Sequence, residues 1–599
     1  EGLTGEAIAL GERGPVAATN GPASARLAVA EAITNIAAAR IKSIGDISIS
    51  ANWMCAGGES TDLATLYQMV EEVGLNFCVQ LGINIPVGKD SMSMQANWID
   101  ATQGKVNSKA PVTLVASAYA PVADTSKNLT PEIKPINDSI LILIDLGKGR
   151  NRMGASVFDL VTAIGERETA DCMDTSALRE FFRTIQTLNE CGLIEAYHDR
   201  SDGGLFVTVS EMAFAGRIGV SLELSDQKDE LGFLFCEEPG GVIQVRKENK
   251  KEILKYIEES TNLLPYTHTI GRINDFRALQ ISTDSTSLTL PLKELLESYS
   301  ENTHAIQSMR DNLPCANQEL ATITNLSDPG LSISGYPKNL PTRKSRNQRP
   351  KVAILREQGV NGHIEMAAAF TKADFHVVDV HMSDITSYSE DLRGFDGLAV
   401  CGGFSYGDVL GAGQGWASSV THIPHVREVF LDFFLRKNTF TLGVCNGCQM
   451  LSLLKDIIPG AELWPSFHEN KSGQFEARLT MVEVTPSPSI FLRALSGLRA
   501  PIVVSHGEGR VINSPENKNL VCVRYIDNFG NVTQTYPSNP NGSESGIAGL
   551  TSSDGRATIM MPHPERVFLK KQLSWSPDSW LNEESPWMEM FNAARRTVK

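Results

Sequence analysis

Nothing in these 599 residues approaches the ~20 consecutive apolar positions that a membrane-spanning helix needs; the longest apolar runs, such as SILILIDL at 139–146, have the length of a strand. Positive charge is also scarce. Lys and Arg total 54 against 70 Asp and Glu, a formal net charge of −16, which argues against a general nucleic-acid or membrane binder because both partners require a clustered basic surface. The densest basic stretch, KNLPTRKSRNQRPK at 338–351, reads as a solvated linker. No signal peptide opens the chain, and its 10 cysteines show no disulfide framework, so a reducing cytoplasm is the expected compartment. The chain begins at Glu1 without an initiator methionine, which leads us to expect a fragment or a processed product.

What is present is ordinary globular material, 42% hydrophobic and 21% charged, long enough for about three or four domains. Residues 1–125 mix an alanine-rich amphipathic helix at 23–41 with strands that end in APVTLVASAYAPV. A second mixed α and β segment runs from 137 to 300, with helices expected at 175–191 and 205–215. Residues 301–349, rich in Pro, Gly, Ser and basic side chains towards their end, have the composition of a linker. From 350 to 599 the pattern becomes βα alternation: KVAIL, a helix at about 362–373, FHVVDV, then GLAVCGG. This predicts a doubly wound parallel sheet.

In such a sheet, reactive groups gather at the carboxyl ends of strands. The stretch TLGVCNGCQMLSLL places Cys445 between a strand (FTLGV) and a helix (CQMLSLLKDI), flanked by Gly443 and Gly447, as a sharp strand-to-helix turn requires. A helix N-terminus favours thiolate over thiol there. Cys448 three residues on leaves a redox pair and half of a zinc site open as alternatives, although zinc wants four ligands and no second closely spaced pair exists. A base would discriminate. MMPHPERVF at 560–568 offers His563 and Glu565, two apart and on one face if extended. Cysteine, histidine and an orienting carboxylate together carry the logic of acyl transfer.

GVCNGCQM, HPER and VCGGFSYGDVLGAG resemble the triad glutaminase (class I amidotransferase) family. The resemblance implies a flavodoxin-like domain in which Cys445 is the nucleophile, His563 the acid/base and Glu565 the orienting carboxylate. Cys448 then becomes a packing residue. Loop 401–413, with Gly403 and Phe404, and the N–H of Asn446 would hold the tetrahedral oxyanion, a contact worth roughly 3 to 4 kcal/mol; Gln449 belongs to the same substrate-side set. VSHGEGR at 504–510 and WPSFHENKSGQFEAR at 464–478 are further substrate-side loops without assigned roles.

Upstream, AYHDRSDGGLFVTVSEMAFAG at 196–216 sets Asp199, Ser201 and Asp202 before a double glycine that opens a helix, oxygen ligands and free amides suited to Mg²⁺ and phosphate. HDRSDGGL and LFCEEPGGVIQVRKEN resemble the C-terminal domain of the aminoimidazole ribonucleotide synthetase superfamily. GERGPVAATNGPASARLAVAEAITNIAA and IPVGKDSMSM resemble its paired N-terminal domain. The resemblance makes Glu31 and Asn35, one helical turn apart, and Asp199 Mg²⁺ ligands, with Ser201 contacting an ATP or ADP in an auxiliary site.

Two synthetase-type α+β domains followed by a glutaminase is the order of the large phosphoribosylformylglycinamidine synthase family. That resemblance implies conversion of formylglycinamide ribonucleotide, ATP and glutamine to the amidine, ADP, phosphate and glutamate. It also implies that an N-terminal half carrying the other synthetase pair is missing from this chain. The competing expectation is a non-catalytic nucleotide-binding unit whose glutaminase is silent without that half.

Overall fold

A helix built largely of alanine can lie close against a sheet, and the first part of the chain exploits this. The computed structural model describes residues 2–58, 60–165, 168–225, 227–284, 287–335, 349–577, 580 and 583–598. In it, the helix Gly21–Ile36 is capped by Asn20, whose side chain accepts from Ala23 N–H at 3.2 Å, and carries a proline in its first turn. It therefore begins two residues before, and ends five residues short of, the predicted 23–41. It packs on a four-stranded sheet with spatial order Gly5–Glu12, Thr113–Val122, Ser48–Met54, Asn84–Ser91, the first two strands paired antiparallel from Gly5 opposite Val122. At Gly11 an added Cβ would sit 2.0 Å from the Ala28 carbonyl oxygen, so strand and helix backbones touch there.

A second sheet carries seven strands, in the order Ser287–Pro291, Ala278–Ser282, Gly219–Glu223, Thr267–Asn274, Ser139–Asp145, Gly240–Arg246, Ala196–Arg200. The helices expected beside it are found at Thr175–Glu190 and Gly204–Gly216. The two segments expected as domains 1–125 and 137–300 share one hydrophobic core and make a single compact unit, Glu1–Ser298. The reason lies in the helix Gly21–Ile36, which is apolar almost all round and must be covered on more than one side. Arg26 within it grips Asp171 through two hydrogen bonds of 2.8 Å, and Gln186 accepts from Ile41 N–H at 2.9 Å while donating to the Ala37 and Ala39 carbonyls.

The second unit, Tyr299–Lys599, is built on a nine-stranded sheet. Its strands run His376–His381, Lys351–Arg356, Gly397–Val400, Phe440–Val444, Ala557–Met560, Ile547–Thr551, Val521–Tyr525, Glu476–Val484 and Arg499–His506. The first five are parallel, as the βα alternation predicted, and the remaining four extend the sheet antiparallel. Gly397–Val400 and Phe440–Val444 are buried at every residue, which is the mark of a parallel strand covered on both faces. Their carboxyl ends point at one edge, and Cys445 directly follows the second of them.

Residues 301–349, expected as a linker, are not unstructured throughout. They hold the end of the helix Leu292–Arg310 and the whole helix Leu313–Ile323, which is capped by Asn312 and opened by Pro314. This second helix docks in its own unit: Gln318 accepts from Tyr536 N–H at 2.9 Å and Glu319 lies 3.5 Å from Arg478. Polar composition concealed a helix whose polar side chains are spent on tertiary contacts. Most of the basic stretch 338–351 lies outside the described residues. No described helix is long and apolar enough to cross a membrane.

The Gly11 contact makes a direct test of this packing. Gly11→Ala should lower the unfolding free energy by about 1 to 3 kcal/mol, because the obstruction is backbone that cannot swing aside. Gly74→Ala, where a Cβ meets nothing within 4 Å, is the control. Denaturant unfolding that shows equal stability for Gly11→Ala and wild type would contradict the close approach.

Candidate functional site

The strand Phe440–Val444 ends in a residue whose backbone is forced out of the usual regions: Cys445 has φ 53° and ψ −112°, and the helix Asn446–Leu453 starts at the next residue. The helix thus opens two residues earlier than the predicted CQMLSLLKDI. A left-handed φ on a non-glycine residue costs energy and persists only where its surroundings enforce it. Here they do. A Cβ on Gly447 would lie 2.1 Å from the Val400 carbonyl oxygen and one on Gly443 2.6 Å from Leu451, so both flanking glycines are required for the helix to seat on the strands. Cys445 N–H is anchored on the Met560 carbonyl at 2.9 Å, and its Sγ donates to the Ser505 carbonyl at 3.4 Å.

His563 follows the neighbouring strand Ala557–Met560, its N–H held by the Val503 carbonyl at 2.8 Å. The residues after it form a 3₁₀ turn, Pro564–Arg566, rather than the extended segment expected. The turn brings Glu565 Oε1 to 2.7 Å from His563 Nδ1. His563 and Glu565 are 1% and 0% exposed, and Cys445 is 4% exposed. Burial alone would lower the imidazole pKa, but Glu565 and then Cys445 outweigh it and raise His563 to about 9. Glu565 Oε2 is buried with no hydrogen-bond partner among the described residues. One residue here escaped the sequence reading: a Cβ on Gly402 would stand 2.7 Å from His563 Cε1 and 3.2 Å from Cys445 Cβ, so this glycine keeps the space between them open.

The loop residues divide. Gly403, at φ 149°, crosses so close to Val360 that a Cβ would come within 2.5 Å of its Cα, and its own N–H has no backbone partner among the described residues. Asn446 N–H likewise sits free in the first helical turn. Phe404 is different: its N–H is spent on the Gly359 carbonyl at 2.9 Å. The side chains of Asn446 and Gln449 are spent too, Asn446 on Asp408 and Gln449 and Gln449 on the Glu508 carbonyl, so they brace the loops. Cys448 is fully buried, its thiol pKa pushed well up by desolvation.

In the first unit the predicted Mg²⁺ residues converge only partly. Glu31 accepts from Glu12 N–H at 2.9 Å and lies 3.9 Å from Arg13. Burial raises Glu31 to about 7; Arg13 opposes the shift and the nearby charges of Asp199 and Glu12 add to it. Asp199 is buried beside His198 at 3.2 Å, whereas Asn35, one turn along from Glu31, is exposed. Arg13 also meets Asp202 and Glu237. Gly203 and Gly204, at φ 74° and 65°, open the next helix, but the Gly203 N–H is already taken by Glu237 at 2.9 Å. No trio of His, Cys, Asp or Glu at metal-ligand spacing exists among the described residues. The donors are hard oxygens of the kind that suits Mg²⁺. Burial is the main cause that raises Glu31, and a cation beside it would favour its charged form.

Comparison with known families separates the chain into three matched stretches. Residues 349–598 match the CobB/CobQ-like glutamine amidotransferase domain, 1–121 the FGAR-AT PurM_N-like domain and 137–281 the C-terminal domain of AIR synthase related proteins. The chain is therefore a glutamine amidotransferase domain joined to domains of the AIR synthase type. The first of these domains is of the FGAR-AT PurM_N-like type, and the order of the three is consistent with an FGAM synthase. Solved structures share the topology only loosely. PurLQS from Thermotoga maritima is 21% identical over 42% of this chain and 100% of its own, with a TM-score of 0.32. T. maritima PurL complexed with FGAR is 12% identical, covering 57% of this chain and 49% of that one, at 0.39. E. coli HypE is 16% identical over 48% and 85%, at 0.34. The chain spans about half the length of the T. maritima PurL chain it matches.

His563 offers a measurable handle. Its pKa is raised on folding, so the stability it contributes is complete below about 6.5 and is lost as pH climbs through about 9. Glu565→Gln should move the His563 midpoint, followed by NMR, down from about 9 and flatten the stability profile between those two values. An unmoved midpoint would contradict the role of the carboxylate.

Proposed function

We propose that this chain supplies the glutaminase and an auxiliary nucleotide site of an enzyme that converts formylglycinamide ribonucleotide, ATP and glutamine to formylglycinamidine ribonucleotide, ADP, phosphate and glutamate. The observation that carries the glutaminase reading is the buried His563–Glu565 pair beside a cysteine held in a left-handed elbow. The Cys445 thiolate attacks the carboxamide carbon of glutamine, and the N–H groups of Asn446 and Gly403 receive the oxyanion. His563 protonates the departing nitrogen, ammonia leaves, and water activated by the neutral imidazole hydrolyses the γ-glutamyl thioester to glutamate. Ammonia then serves an ATP-dependent synthetase site in a partner half of the same enzyme. All ten cysteines are free, which supports a cytoplasmic setting.

In the first unit, Glu31, Asn35 and Asp199 would hold Mg²⁺ and Ser201 would contact the nucleotide. Bound there, Mg²⁺ neutralises phosphate charge. The buried Glu31 carboxyl would be held in its charged form beside such a cation.

A second reading is favoured by one contact: Cys445 Sγ donates to the Ser505 carbonyl at 3.4 Å. That geometry suits a glutaminase at rest, silent until its partner half engages. Cys445→Ser should abolish glutamine hydrolysis, alone or with the partner half, while Cys448→Ala should cost less than about tenfold, since a buried free cysteine behaves as a small hydrophobe. Equal loss in both variants would favour a redox pair. By calorimetry, Asp199→Asn should weaken Mg-nucleotide binding by about tenfold or more, as expected when a charged ligand is lost; unchanged affinity removes Asp199 from the site.

A further inference from the structure

The strand that reaches the Cys445 thiol ends in hydrogen-bond acceptors. His506, 3% exposed, closes the strand Arg499–His506, and its Nδ1 lies 3.2 Å from Asn470 Oδ1. The amide nitrogen of Asn470 is committed to the carbonyls of Gln474 and His506 at 3.0 and 2.7 Å, which fixes its oxygen toward the ring. An amide oxygen cannot donate, so Nδ1 carries the ring proton and Nε2 is a bare lone pair. That Nε2 is buried and without a partner. Burial, with the charge of His563 close by, pushes the His506 pKa down to about 3, so the ring remains neutral throughout the working range. One residue back, the Ser505 carbonyl is the group that touches the Cys445 thiol. A buried acceptor left empty is costly unless a ligand brings the missing donor.

We propose that His506 Nε2, together with the Ser505 carbonyl, recognises the NH₂ of the substrate carboxamide and so selects glutamine over glutamate. This rests on the glutaminase reading above. A carboxamide has two unlike ends: its oxygen needs donors, which Gly403 and Asn446 N–H offer, and its NH₂ needs acceptors, which His506 and Ser505 offer. Glutamate turns a second oxygen toward that acceptor wall, where lone pair meets lone pair and both acceptors stay unpaired. When the C–N bond breaks, its electron pair goes to nitrogen along with the His563 proton, and the ammonia formed still donates to His506 until it leaves.

The test uses the full chain and does not require turnover. Cys445 is alkylated with a chloroketone analogue of glutamine, in which a chloromethyl group replaces the NH₂, and protection by glutamine and by glutamate is titrated for wild type, His506→Ala and His506→Gln. Wild type should be protected at least about tenfold better by glutamine than by glutamate. His506→Ala should shrink that ratio by about tenfold or more, chiefly by weakening glutamine, and His506→Gln, which returns an acceptor oxygen, should restore part of it. A merely structural histidine would weaken both ligands alike, so an unchanged ratio overturns the inference. Equal protection of wild type by the two ligands overturns it as well, whether or not the variants fold. Failure of the chloroketone to label Cys445 in wild type instead sinks the glutaminase reading itself.

Discussion

The site in the second unit depends on one backbone conformation. Cys445 sits at φ 53° because the strand Phe440–Val444 must turn into the helix Asn446–Leu453 with no intervening loop, and the helix must rest directly on the Val400 carbonyl. That seat exists only because residue 447 has no side chain. The same turn lifts the thiol out of the sheet, places it at a helix N-terminus and brings Asn446 N–H beside it. Gly402 supplies the matching gap on the neighbouring strand end, against which His563 and Cys445 both pack. Strain in the backbone is thus held by close packing on every side, and a side chain at any of these glycines would release it.

Electrostatics then divides the labour between two buried histidines. His563 pairs with Glu565 and is raised to about 9; His506 is pushed down to about 3 by burial first and by the charge of His563 second. One ring carries a proton that it can give, and the other offers a lone pair that never titrates. Two buried imidazoles are thus set to opposite states by their surroundings.

Much of this was legible in the sequence. Glycines at 443 and 447 around a cysteine point to a strand-to-helix elbow, and a His two residues from a Glu after an apolar strand is a candidate base; both follow from local chemistry. What the sequence could not disclose is long-range. Phe404 looks like an oxyanion donor until Gly359, far away in the fold's connectivity, claims its N–H. Gln449 sits in the motif but spends its amide on the Glu508 carbonyl. His506 lay in a stretch marked as substrate-side, yet its tautomer depends on how Asn470 is held. In the first unit, the two segments match separate domain models at 1–121 and 137–281, and what composition could not disclose is that an all-round apolar helix packs them around one shared core. The linker composition near 301–349 likewise hid a helix, because its polar residues face other polar residues rather than water.

The central claim is that Cys445 forms a covalent γ-glutamyl thioester. Incubation of the full chain with isotope-labelled glutamine, acid quenching and peptide mass spectrometry measures it most directly. The account predicts a single labelled γ-glutamyl adduct on the peptide containing Cys445, absent in Cys445→Ser and accumulating in a variant that slows thioester hydrolysis. Label on Cys448, or glutamate formed with no adduct at Cys445 at any quench time, would contradict it.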